Sequence, residues 1–269
     1  MVPNTVRGLV LGFTVLLLAA CAAPSAGPVA FTATDGAFSG PAELPSGWTE
    51  ITLTNNGQEP HHLQLVRLDE GRSVEELGAA LSESGGAFPS WGRPLGGPNA
   101  PDPGGASAAV VNLEPGSYAL IDVIPDAEGV PHMAKGMVSN LTVTDEQSGM
   151  QEPAADITIE LNDYSFTLTG SLTAGDHAIR VKNLGTQVHE AVLVRLEPGK
   201  TAQDVLNTPP GSPPPAASLG GITGIEPGAT QYVPVTLESG SYALFCFFPD
   251  PATQTPHFLL GMIGEFDVP

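Results

Sequence analysis

Apolar residues in this chain gather in short runs that alternate with polar ones or stay apolar throughout, and most runs stop at glycine, proline or asparagine. That pattern predicts strands joined by turns rather than helices. Residues 48–54 and 177–182 read as strands, each ending on a turn, Asn55-Asn56-Gly57 and Asn183-Leu184-Gly185. Residues 61–68 and 189–196 follow as a second pair of strands. A short helix is expected after each, marked by a capping residue and an acid three positions on: Ser73 with Glu76, and Thr201 with Asp204. Residues 85–105 and 209–221, rich in glycine and proline, read as long surface loops. Residues 109–113 with 117–123, and 232–237 with 241–247, read as hairpins turning at Glu114-Pro115-Gly116 and Glu238-Ser239-Gly240. One further strand closes each series after Met137 and Met262.

The elements come in two series because the chain repeats itself. Leu65-Val66-Arg67-Leu68 returns as Leu193-Val194-Arg195-Leu196, and Gly116-Ser117-Tyr118-Ala119-Leu120 as Gly240-Ser241-Tyr242-Ala243-Leu244. Pro131-His132 and Gly136-Met137 return as Pro256-His257 and Gly261-Met262. Matches in one order at nearly constant offset mean two copies of one fold. The first copy is residues 29–144 and the second residues 157–269, with residues 145–156 as the linker. About seven short strands per copy predict an all-β chain of two tandem Greek-key β-sandwiches, each with a short helix and a long loop insertion.

Charge narrows the partners. The formal net charge is -20, with only three lysines, Lys135, Lys182 and Lys200, which argues against nucleic acid and anionic membrane surfaces as partners. At the N-terminus Arg7 precedes an apolar run over residues 9–18 and then Leu18-Ala19-Ala20-Cys21. The run is too short to span a membrane, so residues 1–20 read as a signal peptide. Cysteine after Leu-Ala-Ala resembles the lipobox of bacterial lipoproteins, which implies cleavage before Cys21 and lipidation of its thiol. An ordinary secretory signal is the alternative. Either way the protein is exported, with residues 21–28 as a flexible tether. The expected location is the bacterial cell membrane, facing the periplasm or the extracellular side.

If Cys21 is acylated, Cys246 has no disulfide partner, so it is either a buried core residue or a metal thiolate. Behind it come His257 and, five positions later, Met262. A thiolate, an imidazole and a thioether in one segment suit copper, and His189 is the candidate fourth ligand. Taken singly, each has a plain structural explanation; taken together and in order they point to a metal.

The second copy resembles the cupredoxins, the blue copper proteins such as plastocyanin, azurin and rusticyanin. Residues 183–192 look like the family's first histidine segment, Tyr242-Ala243-Leu244-Phe245-Cys246 like its cysteine strand, and His257-Phe258-Leu259-Leu260-Gly261-Met262 like its histidine and axial methionine. The resemblance implies one copper held by His189, Cys246, His257 and Met262, and one-electron transfer. It implies an apolar collar of Phe245, Phe247, Phe248, Phe258 and Leu259. The loop between Cys246 and His257 is longer than in plastocyanin-like members and nearer that of copper nitrite reductases. Added loop length costs little entropy, so it does not forbid closure.

In the first copy His61, His132 and Met137 hold the matching positions, but Asp122 stands where Cys246 does. A carboxylate cannot make the copper-thiolate bond, so no blue centre is expected there. That copy is either kept for packing or partner contact, or carries a non-blue site of His61, Asp122 and His132 holding Cu(II) or Zn(II). His62, next to His61, is expected to face solvent. Two-domain copper nitrite reductases and small laccases need extra histidines, typically beside the cysteine. Here phenylalanines flank Cys246 and the chain has 6 histidines in all, so the expectation is a carrier, not an enzyme. It would serve a redox partner with a basic docking face; a copper chaperone or scavenger, and a copper-free envelope interaction module, are the alternatives.

Overall fold

A computed structural model of the chain describes Met1 and residues 27–209 and 212–269; the signal peptide and Cys21 lie outside the described residues. No helix among the described residues is long and apolar enough to cross a membrane.

The first half is built from β1 (Val29–Thr34), β2 (Ala37–Ser39), β3 (Glu43–Asn55), β4 (Gln64–Leu68), α1 (Val74–Ser84), β5 (Gly92–Gly96), β6 (Ala106–Leu113), β7 (Gly116–Ile121) and β8 (Val138–Gln147). The second repeats it as β9 (Ile157–Asn162), β10 (Ser165–Gly170), β11 (Gly175–Asn183), β12 (His189–Leu196), α2 (Ala202–Leu206), β13 (Ala216–Ile225), β14 (Thr230–Leu237), β15 (Gly240–Phe245) and β16 (Ile263–Val268). The all-β expectation holds, with one strand more per half than counted from the turns. Both helices start where the capping residues put them, Ser73 and Thr201 each closing a reciprocal capping box.

In each half two sheets face one another. One runs β2-β1-β3-β6 in the first half and β10-β9-β11-β14 in the second; the other runs β8-β7-β4-β5 and β16-β15-β12-β13. Alternation puts Ile157, Ile159 and Leu161 of β9 inward against Leu193 and Leu244 of the facing sheet, as Ile51 and Leu53 of β3 meet Leu65 and Leu120.

Two readings of the sequence are corrected. The segments around Glu114 and Glu238 are not hairpins. β6 pairs with β3 and β7 with β4, so the turn carries the chain from one sheet to the other, as does its counterpart between β14 and β15. The crossing is fixed by a buried tyrosine just past it. The Tyr118 hydroxyl donates to the Glu114 carbonyl at 2.7 Å and that of Tyr242 to the Glu238 carbonyl at 2.8 Å, a tyrosine corner. The glycine- and proline-rich stretches are not free surface loops either: each supplies a strand, β5 or β13, beside the histidine strand.

Those two strands also join the halves. Under the repeat that aligns Gly97 with Gly221, Pro98 bridges to its own equivalent, Ile222, and the pairs Leu95–Ile225 and Pro101–Leu219 exchange with one another. The Asn99 N–H donates to the Gly221 carbonyl at 3.2 Å and the Thr223 N–H to the Gly97 carbonyl at 3.0 Å. This is the self-complementary contact of a two-fold dimer, made within one chain.

Candidate metal centre

The metal-site candidates of the second half sit at one end of its sandwich. His189 opens β12, Cys246 follows the last residue of β15, and His257 begins a one-turn 3-10 helix, His257–Leu260, that leads through Gly261 to Met262. Backbone bonds lock these residues to each other. The Phe258 N–H donates to the Cys246 carbonyl, the Cys246 N–H to that of Met262, and the Met262 N–H to that of His257. Closure of the long loop is secured by Asp250, whose carboxylate accepts the N–H groups of Ala252 and Thr253 and the hydroxyls of Thr253 and Tyr164. The Tyr164 hydroxyl is the main reason that carboxyl is held far below the usual range.

His189, Cys246 and His257 are each 0% exposed. Cys246 Sγ lies 3.4 Å from His257 Nδ1 and 3.9 Å from His189 Nδ1, and the two Nδ1 atoms are 3.0 Å apart. Bonds of roughly 2.0–2.3 Å from nitrogen and sulfur to one ion in a trigonal plane give edges of about 3.5–3.8 Å. The three donors therefore already stand close to a ligand triangle. Met262, fully buried in the same core, is tied by its backbone to both Cys246 and His257.

The outer nitrogens decide the tautomers. His189 Nε2–H donates to Asp163 Oδ1 at 2.6 Å and His257 Nε2–H to Gln187 Oε1 at 3.1 Å. The Gln187 amide is oriented because its Nε2 donates to the Tyr164 hydroxyl and to Asp250. With Nε2 committed as donor, each Nδ1 presents a lone pair toward the sulfur. Burial favours this neutral form: it lowers the pKa of His189 and, with the neighbouring His189, pushes that of His257 down to about 4. Burial pushes the Cys246 thiol up, so the thiolate needs a cation beside it. Gly185 lets Asp163 approach, since a Cβ there would stand 2.4 Å from Asp163 Oδ1 and 2.6 Å from His189 Nε2.

Glu190 was not foreseen. Its N–H donates to Cys246 Sγ at 3.4 Å, while its buried carboxylate accepts from the Phe247 N–H at 2.9 Å and from Asn99 Nδ2 of the first half at 3.0 Å. Burial raises its pKa to about 7. It is a side chain through which one half touches the other's candidate site. The repeat carried a clue: His62 holds the same place, and its Nε2 accepts from the Val123 N–H at 3.1 Å. His62 is 3% exposed, so its expected solvent-facing position is wrong. Alternation does turn it away from His61, but into the interior of the first half, with its Nε2 3.6 Å from Asp122 Oδ1, rather than to water. The collar also needs revising. Phe245 packs on the outer face of the sheet with Val194, Leu196 and Ala202, away from the sulfur, and Phe247 and Leu259 are solvent-exposed.

In the first half His61, Asp122 and His132 do come together, buried, and Met137 follows in the place of Met262.

No protein-family model and no curated protein sequence matches the chain. Solved structures do. Reduced auracyanin from Roseiflexus castenholzii is 18% identical, covering 45% of this chain and 98% of its own, with a TM-score of 0.31. A multicopper oxidase is 14% identical over 89% of this chain and 88% of its own, with a TM-score of 0.27. The copper nitrite reductase of Nitrosomonas europaea is 15% identical over 90% of this chain and 94% of its own, with a TM-score of 0.26. The expectation that the chain is not an enzyme is corrected: neighbours that span most of it carry the names of oxidases and reductases. The strand order and the buried His/Cys/His donor set fit the cupredoxin resemblance read from the sequence, and that donor set suits copper.

Proposed function

We propose that His189, Cys246, His257 and Met262 of the second half would hold one copper ion, and that the protein passes single electrons through it. The observation that carries this reading is the buried triangle of two Nδ1 lone pairs and one sulfur, each imidazole pinned from behind. Copper bound there supplies a one-electron couple, Cu(I) and Cu(II) both being at home with two imidazoles and a thiolate. The rest falls to the chain. Asp163 and Gln187 hold the imidazoles in one tautomer, so little has to move when the charge at the site changes. The Glu190 N–H withdraws electron density from the sulfur, and the packed core around Met262 keeps water out.

Full burial of all three donors supports a carrier over a copper chaperone, whose ligands must meet a second protein's thiols. Exposed apolar residues gather where docking needs them: Phe247 follows the cysteine, Leu259 and Leu260 follow His257, and Leu184 lies in the turn before His189. An acidic chain with this apolar tip suits a redox partner bearing a basic face. Lipid attachment through Cys21, on the outer side of a bacterial membrane, would confine the exchange to partners there.

Voltammetry of the copper-loaded chain tests this. A reversible one-electron wave that vanishes in Cys246→Ala is expected. A chain that surrenders Cu(I) to a competing chelator within seconds and gives no reversible wave is a chaperone instead.

A further inference from the structure

The first half carries the same imidazole frame around a different centre. The His61 and His132 rings lie 4.6 Å apart at 57°, against 4.7 Å and 56° for His189 and His257. Both Nδ1 atoms point at one oxygen, Asp122 Oδ2, at 2.8 and 2.9 Å, where the sulfur stands in the other half. Both Nε2 atoms are held from behind, by Asp35 Oδ1 and by Glu59 Oε2, each at 3.0 Å. His61 and Asp122 are 0% exposed and His132 is 1% exposed. A region kept only for packing has no use for two buried imidazoles, one buried carboxylate and two carboxylates backing them.

Charge points to what belongs there. An imidazole bonded to a carboxylate at both nitrogens must donate from both, so each ring carries an Nδ1 proton facing Asp122. One divalent cation replacing those two protons leaves the net charge unchanged. It gains three donors, His61 Nδ1, His132 Nδ1 and Asp122 Oδ2, while each Nε2–H stays on its carboxylate, the carboxylate-histidine-metal arrangement. Metal bonds of about 2.0 Å require the two edges to Asp122 Oδ2 to open from 2.8 and 2.9 Å to about 3.5 Å. Gln187 of the second half is replaced here by Glu59, one negative charge more, which favours a divalent over a monovalent ion.

We propose that His61, Asp122 and His132 form a second cation site, for Zn(II) or Cu(II), that holds its ion in the divalent state and gives no blue centre. Two imidazoles and a carboxylate suit both ions, and the hard carboxylate in place of a thiolate disfavours Cu(I). The proposal stands independently of the copper site in the second half.

The test uses the full chain carrying Cys246→Ala, so that the thiolate site is disabled, titrated calorimetrically with Zn(II) alone and with Cu(II) alone. One tight equivalent is expected, weakened at least about 100-fold by Asp122→Asn and by His132→Gln, with Cu(II) uptake leaving the solution without an intense visible band. A second variant adds a positive signature. Asp122→Cys on the Cys246→Ala background should create an intense thiolate-to-copper band, because the imidazole frame is the same. Absence of tight uptake by the Cys246→Ala chain, or uptake that Asp122→Asn leaves unchanged, overturns the proposal. A parent chain without a blue band that still takes up this equivalent defeats only the reading of the second half.

Discussion

A single substitution, aspartate for cysteine, separates the two centres, and the backing residues have diverged with it. Where Cys246 stands, the imidazoles are neutral and backed by one carboxylate and one amide; where Asp122 stands, two carboxylates back them and the bonds to Asp122 raise the histidine pKa values against the pull of burial on His61. Ligand identity was legible in the sequence because cysteine, histidine and methionine are rare and carry their donor atoms with them. The backing residues were not, since Asp163 and Gln187 are ordinary turn residues until the fold brings them behind a ring. Only their recurrence, Asp35 with Asp163 and Glu59 with Gln187, marks them. Asp163→Ala tests the backing directly. It removes the acceptor behind His189 Nε2, so copper affinity should fall about 10–100-fold with the fold intact by circular dichroism. Unchanged affinity would mean that the carboxylate contributes nothing to binding.

At the scale of elements, alternation and capping residues located most of the strands and both helices, and the misreadings share one cause. A strand's partner is not written in its own residues. β6 and β7 are separated by a short turn that reads as a hairpin, yet their inward faces belong to opposite sheets, and it is the tyrosine after the turn that fixes the crossing. β5 and β13 were hidden by glycine and proline, which sequence patterns assign to loops although both strands pair through irregular registers. Tyr242→Phe removes the hydroxyl that the Glu238 N–H donates to and that donates to the Glu238 carbonyl. A loss of about 1–1.5 kcal/mol is expected in urea unfolding, and the Ser73→Ala cap variant should cost α1 about 1 kcal/mol. A Tyr242→Phe chain as stable as the parent would deny the corner its role.

The molecule as a whole is a two-fold dimer written into one chain, and its symmetry is broken where chemistry requires it. The repeat was plain in the sequence, whereas the self-complementary contact between the halves was not, because nothing in the residues of β5 or β13 says which surfaces meet. Asn99→Ala leaves the buried Glu190 carboxylate one donor short, so a loss of about 1–3 kcal/mol is expected, with a shift in the copper absorption that a contact remote from the site would not produce. The segment leading into the second half is pinned by a pH-dependent bond, His177 Nδ1 to Asp156 at 2.5 Å. Burial lowers the pKa of His177, but the bonds to Asp156 and to the Thr173 carbonyl outweigh it and the net shift is upward. The folded state thus binds the proton more tightly, and the stabilisation is present below the ordinary histidine value and lost as pH rises through the raised one. His177→Gln should destabilise by no more than about 0.5 kcal/mol at pH 5.5 and not at all at pH 9, read from urea midpoints, because the partner carboxylate is half exposed. The most direct test of the whole account is titration of the chain with Cu(II), followed by visible absorption beside Cys246→Ala. An intense thiolate-to-copper band that saturates at one equivalent in the parent and is absent from the variant is predicted; a parent chain that stays colourless, or a band that survives loss of Cys246, would contradict it.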